Sequence, residues 1–434
     1  MNATESIYEL LTDDNEGRLC EDIPEESCQE APRNFLLILL SQTLTKLGDA
    51  LASPKTTLAW LVTAVGAPGW VLGYLVPLRE SGSMVPQLIL GGRIRRLPIR
   101  KWVCVVSNAM QGACVAGLAW VALILSGRTA GWAILGLVAA FSLARSLSSI
   151  ASKDVVGKTI PKRRRGQLSG WAASVSGFLA VTAGYALSRV DGSQWDGAVL
   201  AILFLIAAVL WLLGAVAFAL VIEAPGETDG GRGLGESIGS LNLLVTDRDF
   251  RRFVTARALL MCSALSAPFY VALSQGNESS PGGGLAALGA FVVASGLASL
   301  ISGPFWGRFA DRSSRLVMAW AAAVASAIGV VTVLVAMMLP DWLNGLWFLP
   351  AAYFILSIAH EGVRVGRKTY VVNLGTGNQR TDYVAISNTV IGVLLLVVGS
   401  VGFLTPLVGN EGVIGLLALM GAVGVLMSWS LREV

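Results

Sequence analysis

Ionisable side chains are scarce in the long apolar stretches of this chain, and the few present stand where lipid would surround them. Lys46 and Asp49 are three residues apart, so on a helix they share a face and can pair locally. Arg79 and Glu80 are adjacent, point about 100° apart on a helix, and need partners on other elements. Arg145 and Arg257 follow, then His360, Glu361 and Arg364 close together. A charge at that depth is costly unless it faces protein or water. The chemistry open to such a set is proton exchange. A carboxylate that is neutral when desolvated and ionised when paired can carry a proton. Asp49 or Glu80 is the expected carrier, with Lys46 and Arg79 as counter-charges. A nucleophilic triad cannot be assembled around the single histidine, and no Cys, His or carboxylate spacing suits a metal. No enzyme activity, metal or cofactor is expected.

The elements that must position these residues are membrane spans. Of 434 residues, 54% are hydrophobic and 14% charged, with mean hydropathy +0.66, whereas soluble domains carry about 25% charge. Apolar windows of about 20 residues, enough to cross a bilayer, recur along the chain. They predict twelve spans, near 34–55, 68–90, 101–126, 130–152, 167–188, 198–222, 251–274, 285–306, 316–339, 345–366, 381–406 and 412–431. Gly and Ser are frequent within them, which allows helices to approach closely. The turns after spans 2, 4, 8 and 10 and the central loop hold most Lys and Arg, while the opposite turns hold only Lys55, Arg128 and Arg189. The positive-inside rule therefore puts both termini in the cytoplasm. The pI of 8.9 reflects these turns and not a nucleic-acid partner.

Residues 1–33 carry ten acids against Arg18 and Arg33 and lack the basic start of a signal peptide. They read as an acidic cytoplasmic tail, its Cys20 and Cys28 reduced, with Ile7, Tyr8, Leu10 and Leu11 as a possible apolar anchor on the basic turns. The remainder repeats itself. At an offset of 215 positions Phe35 falls on Phe250, Arg33 on Arg248, Gly92 on Gly307, Arg93 on Arg308, Arg100 on Arg315, Lys153 on Lys368, Arg165 on Arg380 and Gly177 on Gly392. Two halves of one build are implied, a six-helix bundle over 34–222 and another over 251–434, joined by a glycine-rich cytoplasmic linker over 223–250. Lys46, Asp49, Arg79 and Glu80 map to Met261, Ala264, Ala294 and Ser295, so this charge cluster belongs to the first half alone. By depth along their helices, Lys46 matches Glu80, and Asp49 meets Arg79 if span 2 bends at Pro77.

Gly307-x-x-x-Asp311-Arg312-x-Ser314-Arg315 after span 8, its weaker copy from Gly92 to Arg100, and the basic run Pro161 to Gly166 before span 5 resemble the signature turns of the major facilitator superfamily. The likeness covers about residues 33–434, with Arg96 and Ile99 departing from the pattern in the first copy and Ser314 in the second. It implies an all-α integral membrane protein with twelve transmembrane helices in two pseudo-symmetric six-helix bundles. It further implies that spans 1, 4, 7 and 10 face a central cavity, bringing Arg145, His360 and Glu361 toward Asp49 and Glu80. Candidate contacts for a solute are Gln42, Thr43, Ser169, Trp171, Tyr383 and Asn388. A cytoplasmic gate is expected at Gly92, Arg93, Arg100, Gly307, Arg308, Asp311, Arg312 and Arg315. The resulting expectation is a monomeric, multi-pass protein of the plasma (inner) membrane. It moves a small solute by alternating access, coupled to protons, with the lipid bilayer as its other partner. The rival is a membrane sensor that keeps the fold without transporting.

Overall fold

The computed structural model describes Tyr8 and residues 28–86, 90, 94, 96–189, 197–226, 228, 242–275, 285–310, 312–343, 345, 347–374 and 378–434. Among them the regular structure is all helical, in twelve long runs with short helices at Leu243–Thr246, Pro340–Leu343 and Gly399–Leu404 between them. The first six are α1 (Ala31–Leu51, resuming as Thr57–Ala64), α2 (Trp70–Met84), α3 (Lys101–Ile124), α4 (Gly127–Thr159), α5 (Lys162–Ser188) and α6 (Gly197–Ala219). The second six are α7 (Arg248–Leu259, Cys262–Leu265 and Ala267–Gln275), α8 (Leu285–Ala310), α9 (Ser314–Met338), α10 (Phe348–Leu374), α11 (Asn378–Val398) and α12 (Thr405–Trp429). Seven stretches among the described residues are long and apolar enough to cross a membrane by themselves. α11 and α12 together form one of these stretches, and α8 reaches only a shorter apolar helix over Ala287–Ser302. α1, α2 and α10 fall short because a break, short length or ionisable residues interrupt their apolar windows.

α1 departs from the expected span. It leaves the helix over residues 52–56 and then continues to Ala64, so Lys55 lies within the span and not in an outer turn. Pro54 supplies the cause, since its ring and missing N–H cannot continue a helix. α7 is interrupted at 260–261 and again at Ser266, which the 215 offset maps to Leu51, the last residue of the first α1 segment. Pro268 follows at the start of its outer segment, where a missing N–H costs nothing. The 215 offset carries the α1 break, 52–56, onto 267–271, where α7 is helical, so the two corresponding helices break at neighbouring and not at equivalent positions.

Apolar surface is buried chiefly within each half and at the end of the molecule far from the chain termini, here the outer end. There Gly73 of α2 meets the 3-10 turn after α11, and a Cβ on Gly73 would stand 2.4 Å from the Gly399 carbonyl oxygen. Trp70 stacks on Phe403 with ring centres 5.4 Å apart. Gly184 and Gly289 bring α5 against α8 with similar closeness, and Gln275 Nε2 donates to the Trp60 carbonyl at 3.4 Å, joining α7 to α1. The repeat partners Gly177 and Gly392 both lie on contacts between halves, against Leu300 of α8 and Val85 beside α2. Toward the inner end α4 and α10 stand apart, and Lys153, Arg364 and Lys368 are exposed. The molecule is packed shut at the end far from the chain termini and open at the other.

Tyr8 is buried, edge-on to Phe35 with ring centres 5.3 Å apart. It sits in an apolar cluster with Ile38, Val155, Leu168 and Val221 at the inner end of the first half. Ile7, Leu10, Leu11 and Cys20 lie outside the described residues. Cys28 is disulfide-bonded, against the expectation of a reduced thiol.

Candidate functional site

Asp49 is the hub of the buried charges. One carboxylate oxygen pairs with Arg79 and the other with Arg145 Nη1 at 2.8 Å, which ties α1 to α2 and α4. The Arg79 guanidinium also lies 3.8 Å from the centre of the Phe141 ring, a cation–π contact that supports it away from water. The expected match of Lys46 with Glu80 is not made. Lys46 Nζ instead donates to the Ser169 carbonyl of α5 at 3.3 Å. Depth along a helix sets height but not direction, and the turn of α1 aims Asp49 at α2 and α4 while Lys46 faces α5. The Glu80 carboxylate makes no ion pair among the described residues. It lies in the combined field of Lys55, Arg145, Arg367 and Arg79.

A polar pocket opens where α1 and α7 are broken. Lys55 enters it from the α1 break, Ser263 and Ala267 from α7, Ser295 and Ser299 from α8, and Tyr353, Ser357, His360 and Glu361 from α10. With its open side it spans about 350 Å³. His360 Nδ1 and Ser263 Oγ are 3.2 Å apart, Tyr353 bonds to Ser357 and Ser295, and Glu361 pairs with Arg364. His360 and Glu361 thus line this pocket, whereas Asp49 and Glu80 do not. Lys55, Ser263, Tyr353 and Ser357 were not singled out from sequence. The signal for Lys55 was legible, because the apolar run continues past Pro54 through Val65 and places the lysine mid-span.

Two solute-contact candidates have other work. Tyr383 is buried, stacks on Phe250 at 4.4 Å between ring centres and donates its hydroxyl to Asp247, so it locks α11 to the start of α7 and does not face the pocket. Asn388 Oδ1 accepts from Arg257 Nη2 at 2.8 Å, and Ser387 Oγ accepts from Nη1 at 2.7 Å. Arg257 therefore serves as a joint between α7 and α11. Gln42 is partly buried, Thr43 is buried, and Trp171 is 41% exposed on α5. None of these three lines the pocket beside His360.

At the inner end Asp247 accepts from the backbone N–H of Asp249 and Phe250, capping α7. Burial alone would raise its carboxyl, but the Phe250 amide and the Tyr383 hydroxyl hold it below the ordinary range. Arg100 pairs with Asp154 of α4, and Lys158 bridges Asp154 at 2.9 Å and Glu223 at 3.0 Å. Arg315, the repeat partner of Arg100, pairs with Glu433 at 2.9 Å. Both gate arginines are bound within their own halves, while Arg312 is exposed. Gly92, Arg93 and Asp311 lie outside the described residues, as do the side-chain positions of Gly307 and Arg308.

The sequence matches no protein-family model and no curated relative. The fold, by contrast, matches solved transporters. The inward-open xylose transporter XylE from E. coli superposes with a TM-score of 0.68 at 13% identity, covering 92% of this chain and 96% of that one. The nucleoside transporter NupG, as a D323A mutant, gives 0.70 at 13% identity, with 91% and 99% covered. A POT family transporter in complex with a thioalcohol-conjugated peptide gives 0.69 at 12% identity, with 94% and 98% covered. Another XylE structure of this set is described as a major facilitator superfamily proton:xylose symporter. Twelve helices in two repeat-related halves, broken α1 and α7, and a cavity closed at one end make this chain a multi-pass membrane protein with the major facilitator fold.

Proposed function

We propose that the protein is a secondary transporter for a small solute, working by alternating access, with residues 34–222 and 251–434 as the two rocking units and 223–250 as the linker. One observation carries the reading. Corresponding helices of the two halves, α1 and α7, are both interrupted and both line one polar pocket through Lys55, Ser263 and Ala267, while the ends of both halves far from the chain termini are packed together above it. Paired interruptions in corresponding helices mark binding sites in transporters built from repeats, because unwound backbone is tolerated at that depth only where it lines a cavity. The structural neighbours named as xylose and nucleoside transporters support the same class.

Proton coupling is part of the proposal, and Glu80 is the better carrier. Asp49 is already paired with two arginines, whereas Glu80 makes no ion pair among the described residues and lies in the field of the same charges. Both termini are read as cytoplasmic in the plasma (inner) membrane, which makes the described conformation inward-facing.

The test is a pair of distance measurements by spin labelling. Labels at Lys153 and Lys368, both exposed at the inner mouth, should report two populations, the shorter one matching closure. Labels at Arg128 and Leu343 on the outer side should move in the opposite sense. One fixed distance at both pairs, with no solute flux in proteoliposomes, would instead support a static sensor.

A further inference from the structure

Taking the pocket at the broken helices as the transport site, we infer that its solute is a small hydroxylated organic anion, a monocarboxylate seated with its carboxylate on Lys55. The charge balance along the cavity points there first. Asp49 already holds Arg79 and Arg145, and Glu361 holds Arg364. Among the described residues of these helices that leaves Glu80 as the one acid without an ion pair, against Lys46, Lys55, Arg257 and Arg367. A positive excess in a cleft with low-dielectric walls focuses its field and concentrates anions.

Lys55 is the group positioned to use that field. It is partly buried in the α1 break and lines the pocket, and its ammonium has no hydrogen bond or ion pair among the described residues. An ammonium held at that depth without a partner is costly, and a bound anion removes the cost. Glu80 and Glu361 lie within electrostatic reach but do not pair with it.

The surrounding groups narrow the anion. Planar arginine forks suit phosphate and paired carboxylates, but no arginine lines this pocket among the described residues, and Arg79 and Arg257 are occupied by Asp49 and by Ser387 with Asn388. Lys55 offers one point charge. Glu361, on the same wall, repels a second negative charge on the solute. The hydroxyls of Ser263, Ser295, Ser299 and Ser357 each donate and accept, which matches a solute bearing hydroxyl groups.

The full-length protein, purified in nanodiscs, is screened by thermal shift against D-gluconate, L-lactate and D-glycerate. Glucose, adenosine, glycerol 3-phosphate, citrate and spermidine serve as comparators. At least one hydroxy acid should stabilise the wild type. Lys55→Gln should weaken it about 30-fold or more, the scale for removing one partner of a buried charge pair, and Lys55→Arg should retain most of the binding. An unchanged melting temperature of unliganded Lys55→Gln shows that the fold is intact. If that variant is misfolded, competition of the hydroxy acids by the uncharged amide of gluconate decides, and equal binding of acid and amide overturns the assignment. Stabilisation by a neutral, polyanionic or cationic comparator instead of the hydroxy acids overturns it too, as does no hydroxy-acid binding at all. Hydroxy-acid binding without flux in proteoliposomes leaves the anion site standing and removes the transport reading. Flux of glucose or adenosine does the reverse.

Discussion

Glu223 and Glu433 each lie four residues beyond the last helix of their half, after Ala219 and Trp429, and each closes the start of the third helix of that half. Glu223 accepts from the backbone N–H of Arg100 at 2.9 Å and of Lys101 at 2.7 Å. Glu433 accepts from Ser313 Oγ at 2.5 Å and pairs with Arg315 Nε at 2.9 Å. A carboxylate at a helix N-terminus satisfies orphan donors and opposes the positive end of the dipole. The residues are not aligned at the 215 offset, yet the two halves solve the same problem in the same place.

Burial separates their energetics. The Glu223 side chain is fully buried, while that of Glu433 is 47% exposed. Glu223→Gln should lower stability by about 1–3 kcal/mol, the cost of leaving buried partners unsatisfied. Glu433→Gln should cost about 0–1 kcal/mol. Thermal unfolding of the two variants in the same detergent checks the order, and equal losses would refute it.

Glu80→Gln should insert and fold, keep solute exchange at equal pH on both sides, and lose accumulation driven by a proton gradient. Asp49→Asn should behave differently. It strands the buried Arg79 beside Arg145, and leaving a buried charge unpaired is destabilising by about 3 kcal/mol or less where the other partners are partly exposed, so its folded yield should fall relative to Glu80→Gln. Gradient-driven accumulation by Glu80→Gln at the wild-type level would remove Glu80 as the proton carrier.

Asp154 predicts an acid response at the inner end. α4 has 33 residues, about 50 Å at 1.5 Å per residue, so its last turns project beyond an apolar core of about 30 Å. Burial by itself would raise the Asp154 carboxyl, but bonds from Lys158 and Arg100 hold it below the ordinary carboxylate value. A depressed folded pKa contributes stability above the unfolded value, about 3.9, which is lost as pH falls through the folded one. Wild type should therefore lose part of its stability below about pH 4, and Asp154→Asn should start lower and lose less over that window. Parallel curves from pH 6 to pH 3 would contradict it.

Gly73→Val should open the outer seal, because even a Cβ at this site meets the Gly399 carbonyl at 2.4 Å and backbone cannot yield as a side-chain tip does. Labelling from the outer side of a cysteine placed at Ser81, buried against Gly392 in this conformation, should rise severalfold. Unchanged labelling would place the seal elsewhere.

Much of the architecture was legible in the chain because bilayer thickness and helix rise leave few choices for an apolar window of given length. The all-helical membrane architecture followed from those windows, and the meeting of Asp49 with Arg79 from the charges inside them. Sequence depth could not tell which side of α1 faces α2, so Lys46 was matched to Glu80 when it binds the Ser169 carbonyl. Nor could it show that Tyr383 and Asn388 are bound to Asp247 and Arg257, since an amide or phenol in a span suits solute and helix joint alike. Lys55 marks the boundary between the two kinds of knowledge. Pro54 announces a break in its helix, but only the packing of α1 against α7, α8 and α10 turns that break into a pocket wall. Periodicity is a local property of the chain, whereas the direction a side chain faces depends on helices hundreds of residues away.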